Sequence, residues 1–418
     1  MAGMTMRVLA SVATVCGIGV FVVSQDAPLS GQAARSAPPP LVITAFAGKA
    51  VDYKAPRTPW GDPDLQGVWS SDDMENVPMA AGQGRGGRGG PGGRAGAAPA
   101  ATPGQPPPLY LTEDALAARK TQVDSGARTR DTSAESSFRF DYARRTFPQT
   151  RLIVDPADGR LPAIKVDQQA RQMPRGTYGP GPLDSWEDFS LYERCITRGI
   201  AGSILRVIYG NGNRIVQAPG VVAFSYEMLP DTRIFFTDGR KHINQSIHQY
   251  LGDSRAHWEG EELVVETTNL TNKTAIGVNG NGIRHSDQMV ITERFRRVAD
   301  NVIQYQATYD DPVTYAAPFT VSFPLTPLDG GNLLPYDCHP GNTAISMSLS
   351  AERAEDRAVA ADAAKGIVRR RRTVQDDGAG VGAAPPAGRG APGAGPGGRA
   401  GGPPPAPGAA TGENDVEK

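Results

Sequence analysis

Glu293 is the residue whose setting most invites chemistry. In Met289, Ile291, Glu293 and Phe295 it shares every-second-residue spacing with apolar side chains, so a strand that buries those neighbours also buries a carboxylate. Ile303, Tyr305, Ala307 and Tyr309 on the following strand would share that face. A carboxylate so placed must be paired or protonated, because an uncompensated buried charge is too costly. Unpaired, its pKa rises into the range useful for general acid–base work. Arg255, His257 and Arg240 are its candidate partners. Glu293 and His257 would be the acid and base of an enzyme. Arg255, Arg240, His242, Asp253, Tyr226 and Tyr305 would instead line a ligand site, the tyrosines as its aromatic walls. A competing reading makes Glu293 half of a structural Glu–Arg pair that sets strand register, or a solvated residue on an edge face. Glu266, beside Val264 and Thr268, is a weaker second carboxylate.

Other chemistries find less support. All five histidines fall between His242 and His339, but there is no HExxH and no CxxC. The spacing of His242, His248, His257 and His285 does not pre-build a metal site, so no metal is expected. No Gly-x-Ser-x-Gly elbow offers a nucleophile. The glycine clusters around Asn211 and Asn279 lie between strands, where turn geometry explains them better than phosphate binding. No cofactor is expected.

The elements that must position these residues have a period of two. Residues 252–268 read as a β-hairpin: Arg255, His257 and Glu259 on one face, Ser254, Ala256 and Trp258 on the other, then a Glu-Gly-Glu turn. Strands of the same grammar are expected at 65–69, 214–217, 221–228, 233–237, 288–298, 302–309 and 319–325. The hairpin falls in the middle of this series. The fold class is therefore mainly β: an antiparallel up-and-down barrel or a strongly curved meander sheet, calycin-like, with a few short helices. A β-sandwich is the alternative. Short helices are expected from Glu113 to about Thr121 and over residues 184–195, and a C-terminal helix over 350–370. Residues 152–163 read as a compact hairpin whose two aspartates serve the turn rather than calcium.

Composition sets the boundaries. Much of the excess in Gly 50 and Pro 36 lies in two blocks that cannot bury enough apolar surface to order themselves. Residues 1–33 read as a signal peptide, with Arg7 ahead of an apolar run; an uncleaved anchor is the alternative. Residues 34–79 form an extended arm and first strand, 80–108 a disordered Gly/Pro-rich insertion, and 109–180 a helix and hairpin packed on the barrel. Residues 181–345 are the main antiparallel β domain, 346–372 the C-terminal helix and 373–418 a disordered Gly/Pro-rich tail. A net charge of -1 gives no case for a nucleic-acid partner, and no transmembrane span remains once the signal is cleaved. An exported chain left with Cys195 and Cys338 most simply joins them in one disulfide; two separately buried thiols are the alternative.

Several local motifs spread over residues 56–357 occur together. They are the run from Thr58 to Trp69, Val-Asp-Pro-x-Asp-Gly-Arg ending at Arg160, Glu-Arg-Cys-Ile from Glu193, Gly-Asp-Ser-Arg-x-His-Trp-Glu-Gly from Gly252, and Cys-His-x-Gly-Asn from Cys338. In this combination the chain resembles a large group of exported, functionally uncharacterised bacterial proteins common in soil bacteria. The resemblance implies export to the periplasm or beyond and one shared fold; it brings no reaction, cofactor or catalytic residue. The Gly-x-Trp ending at Trp69 also resembles the opening strand of lipocalin-type barrels. The function expected first is an exported barrel that binds a small, partly apolar or aromatic molecule in a polar-lined site. A lyase, isomerase or hydrolase on the same scaffold is the alternative, and an envelope interaction protein without a ligand is the third. A dry cavity with charges at its mouth would favour the binder, and a filled barrel the interaction protein.

Overall fold

Alternating burial along successive segments curls the chain into a closed sheet. The computed structural model describes residues 35, 37–81, 107–131, 143–174, 183–207, 209–328 and 330–369. The expected signal peptide, most of the 80–108 insertion and the 373–418 tail lie outside the described residues. Ten strands are described: β1 (Gly67–Ser70), β2 (Ile153–Asp155), β3 (Gly212–Ala218), β4 (Val221–Tyr226), β5 (Thr232–Phe236), β6 (Asp253–Glu259), β7 (Glu262–Thr268), β8 (Val290–Ala299), β9 (Val302–Asp310) and β10 (Phe319–Pro327). They pair in the order β1-β3-β4-β5-β6-β7-β8-β9-β10, and β1 also pairs with β10 through Trp69 opposite Pro327. That contact closes a barrel of nine strands, with β2 added outside the closure along the start of β10. A sandwich is thereby excluded.

The meander has one exception. β5 and β6 pair in parallel at Phe236 and Arg255, whereas the expected series was antiparallel throughout. The long link 237–252 allows this, because it returns the chain to the end at which β5 began. Gly252 ends that link with φ +63, and a Cβ there would lie 2.3 Å from the Thr268 carbonyl oxygen, so this position of the hairpin motif requires glycine.

Side chains fill the barrel. Phe224, Phe235, Phe295, Tyr305 and Phe323 form a continuous inner column with ring centroids 5.0 to 6.3 Å apart. Burying each such ring stabilises the fold by about 1.5–3 kcal/mol. Trp69 packs into the same core and donates from Nε1 to the Leu65 carbonyl. The outer face of β9 is covered too, by the N-terminal arm: the Val42 and Thr44 amides donate to the side-chain oxygens of Gln306 and Gln304.

Several expected elements differ in extent. Helix α1 (Glu113–Asp131) runs beyond Thr121, and two short helices, α2 (Gln168–Arg171) and α3 (Gly199–Ile204), follow. The helix expected over 184–195 is only a 3-10 turn at Trp186–Asp188: a capping box opens it, the Asp188 carboxylate accepting from the Asp184 and Ser185 amides, but the chain goes extended at Phe189, whose side chain is buried. Of the hairpin at 152–163 only the first arm is a strand; its continuation departs at the cis Asp155–Pro156 bond and meets Tyr315 through Ile164 instead. Helix α4 (Ala344–Ala363) begins and ends earlier than expected. No helix among the described residues is long and apolar enough to cross a membrane. Cys195 and Cys338 form the disulfide.

Candidate functional site

Glu293 does face the barrel interior, fully buried, but its partner is Arg233. The guanidinium is bidentate: Nη1 donates to Oε1 at 3.0 Å and Nη2 to Oε2 at 2.5 Å. The Tyr305 hydroxyl donates to Oε1 at 3.0 Å, and Arg233 also donates to Tyr226, Ser254 and Thr267. Burial opposes the charge on Arg233, yet the adjacent carboxylate prevails and its pKa is raised. Burial pushes the Tyr226 phenol up to about 12 and Tyr305 well above the usual range. The carboxylate of Glu293 and both terminal nitrogens of Arg233 are enclosed and committed to one another and to neighbouring hydroxyls, so the cluster staples β5 to β8 through the core.

The expected partners of Glu293 stand elsewhere. Alternation along β6 turns Arg255 and His257 to the outer surface, on the far side of the wall from Glu293. His257 is 63% exposed and pairs with Glu259 at 3.0 Å, so the Glu293–His257 acid–base pair does not exist. Arg240 is exposed, held by Asp238 and stacked 3.8 Å from the Phe236 ring centre. Tyr226 and Tyr305 are core members of the staple and not the walls of a cavity. His285, also buried, has a lowered pKa because desolvation disfavours its charge; its ring lies between Thr274 and the Ser286 carbonyl.

The outer face gathers the other candidates. Asp253 accepts from His242 Nδ1 at 2.8 Å, from Arg255 Nη1 at 2.8 Å and from the Ile243 amide at 3.1 Å. It thereby orients the imidazole, whose Nε2 lies 3.3 Å from Glu266 Oε1. Strand register then continues the line: Phe236, Arg255, Glu266, Thr292, Thr308, Thr320 and Asp155 are successive partners on one outward-facing rung. Glu266, Thr292, Thr308 and Asp155 of that rung floor a cleft of about 660 Å3. Its walls are the arm at Arg35 and Ala37 to Pro39, the loop 156–163, and Ala317 with Pro318. Arg35 fastens the arm in place by pairing with Asp310 at 3.0 Å.

The cleft's chemistry is two-sided. Prolines 38, 39, 156, 162 and 318 supply flat apolar walls. Asp155, Asp158, Glu266 and Asp310 outnumber Arg35 and Arg160, so the lining carries acidic excess. Taken locally, turn chemistry accounts for Asp155 and Asp158, and no local signal relates them to Glu266, more than a hundred residues away. Among the described residues, no three His, Cys, Asp or Glu side chains are placed to hold a metal ion. No family model, curated protein or solved structure matches the chain.

Proposed function

We propose that this is an exported binding protein that takes a small, partly apolar molecule bearing a cationic or donor-rich group. The filled barrel interior alone would favour an interaction protein without a ligand; the binding reading rests instead on a site outside the barrel, the outer cleft. The observation that carries the reading is the 660 Å3 cleft itself, apolar in its proline walls, with a threonine floor ended by the carboxylates of Glu266 and Asp155. That volume lies within the range of about 300–1,000 Å3 usual for small-molecule sites. Export is supported by the disulfide, which belongs to an oxidising compartment.

Native mass spectrometry on untagged mature protein from its own cell envelope is expected to show a reproducible added mass. Thr292 lies mid-floor and faces outward, so Thr292→Trp fills the cleft without disturbing the core. The variant is expected to lose the added mass and to weaken binding at least about tenfold, or about 1.4 kcal/mol. Retention of the ligand by a folded Thr292→Trp protein would move the site elsewhere.

An acid–base enzyme is the second reading, favoured by the line from Asp253 through His242 to Glu266 at the end of the floor. It predicts that the bound molecule is chemically changed on incubation with the protein and that His242→Gln abolishes the change while leaving binding within about threefold. Ligand recovered unaltered from wild-type protein would leave the binder alone.

A further inference from the structure

Arg198 is a buried charge that the barrel does not account for. Its side chain is 1% exposed, and none of its three guanidinium nitrogens has a hydrogen-bond partner. Arg233, equally buried, places both terminal nitrogens on Glu293. Burying a guanidinium without compensation costs several kcal/mol. Nor does Arg198 escape by neutralising: burial lowers its pKa to about 10, still above ambient pH.

The surroundings are phenolic. The groups that bear on Arg198 most are the hydroxyls of Tyr192, Tyr336, Tyr209 and Tyr226. Tyr192 and Tyr209 bring their hydroxyls within 3.5 Å of each other, and Tyr336 stands near enough to act on Tyr192. Burial pushes Tyr192 far up, so these are neutral donors and not phenolates. The nearby carboxylates are committed: Glu227 accepts from the Gly212 and Leu334 amides, and Asp231 from the Thr197 hydroxyl. The Cys195–Cys338 bridge ties the segment carrying Tyr336 to the segment carrying Arg198. Tyr209, 36% exposed, is the member of this cluster that reaches the surface.

We infer that Arg198 anchors a second binding site, one that takes the carboxylate of a small organic acid, with the Tyr192, Tyr209 and Tyr336 hydroxyls completing the donor set. A guanidinium edge offers two parallel N–H donors, which match the two oxygens of a planar carboxylate. A single positive charge is balanced by a monoanion, whereas a phosphate dianion would leave net negative charge buried. The site shares no residue with the outer cleft, so it stands whether or not the cleft binds.

The test uses acetate as the probe and the full mature chain. Thermal unfolding is followed against sodium acetate, with sodium chloride holding the ionic strength constant. Wild-type protein is expected to gain stability with the logarithm of acetate concentration, as linkage requires of a ligand bound only by the folded state. Arg198→Met is expected to abolish that dependence. Tyr209→Phe removes one donor at the surface without touching the buried charge, and serves should Arg198→Met not fold. It is expected to weaken the apparent acetate affinity about tenfold, the scale of one hydrogen bond to a charged group. No acetate-specific gain in the wild type, or an equal gain in the variants, would overturn the site.

Discussion

Replacing Arg233 with methionine is expected to cost about 3–5 kcal/mol of folding stability, and adding Glu293→Leu to that variant is expected to restore most of the loss. The single substitution strands a carboxylate that is fully buried and whose remaining donor is one tyrosine hydroxyl. The double substitution removes both charges and leaves apolar side chains beside Phe295 and Phe235, where the core is already aromatic. Recovery will not be complete, because the Tyr305 hydroxyl loses its acceptor, although Ser254 and Thr267 keep each other at 2.9 Å. Urea unfolding of the four proteins gives the coupling energy directly. Independent, small effects of the two substitutions would show that the pair does not staple β5 to β8. Ligand binding in the outer cleft is expected to be unchanged in any variant that folds, which separates this pair from a catalytic one.

Removing the disulfide by Cys195→Ser with Cys338→Ser is expected to cost about 5 kcal/mol in the chain-entropy model. The bridged cysteines are 143 residues apart, so the closed loop holds most of the barrel and the constraint on the unfolded chain is large. Unfolding in guanidinium with and without reductant measures the same quantity on the native sequence. A loss below about 1 kcal/mol would mean that the chain-entropy account fails here, through residual structure in the unfolded chain. Peptide mapping under non-reducing conditions would independently recover Cys195 linked to Cys338.

Much of the wall was legible from alternation. The expected strands from 214 onward lie within a few residues of β3 to β10, and Arg255, His257 and Glu259 share one face of the central hairpin as its period demands, although that face points outward and not toward Glu293 as expected. Glu293 on the inner face was legible for the same reason. Its partner was not. In β5 the order Thr232, Arg233, Ile234, Phe235, Phe236 offers apolar residues on both faces. Local preference would bury Ile234 and expose Arg233, yet Ile234 is 41% exposed and Arg233 is 3%. Its shared parity with Phe235 was the available signal.

What the sequence alone determined is therefore the strand grammar, which side chains share a face within each strand, and which two cysteines were available to pair. Each follows from short-range sterics or from the count of available thiols. Only the tertiary structure decided what each face meets. Arg233 reaches Glu293 through a core bounded by strands that are not neighbours in the sheet, and the rung from Phe236 to Asp155 exists only once six pairings have settled in register. Register and closure depend on hydrogen bonds between distant segments, so residues far apart in the chain become one cleft, or one buried pair, only when the sheet has closed.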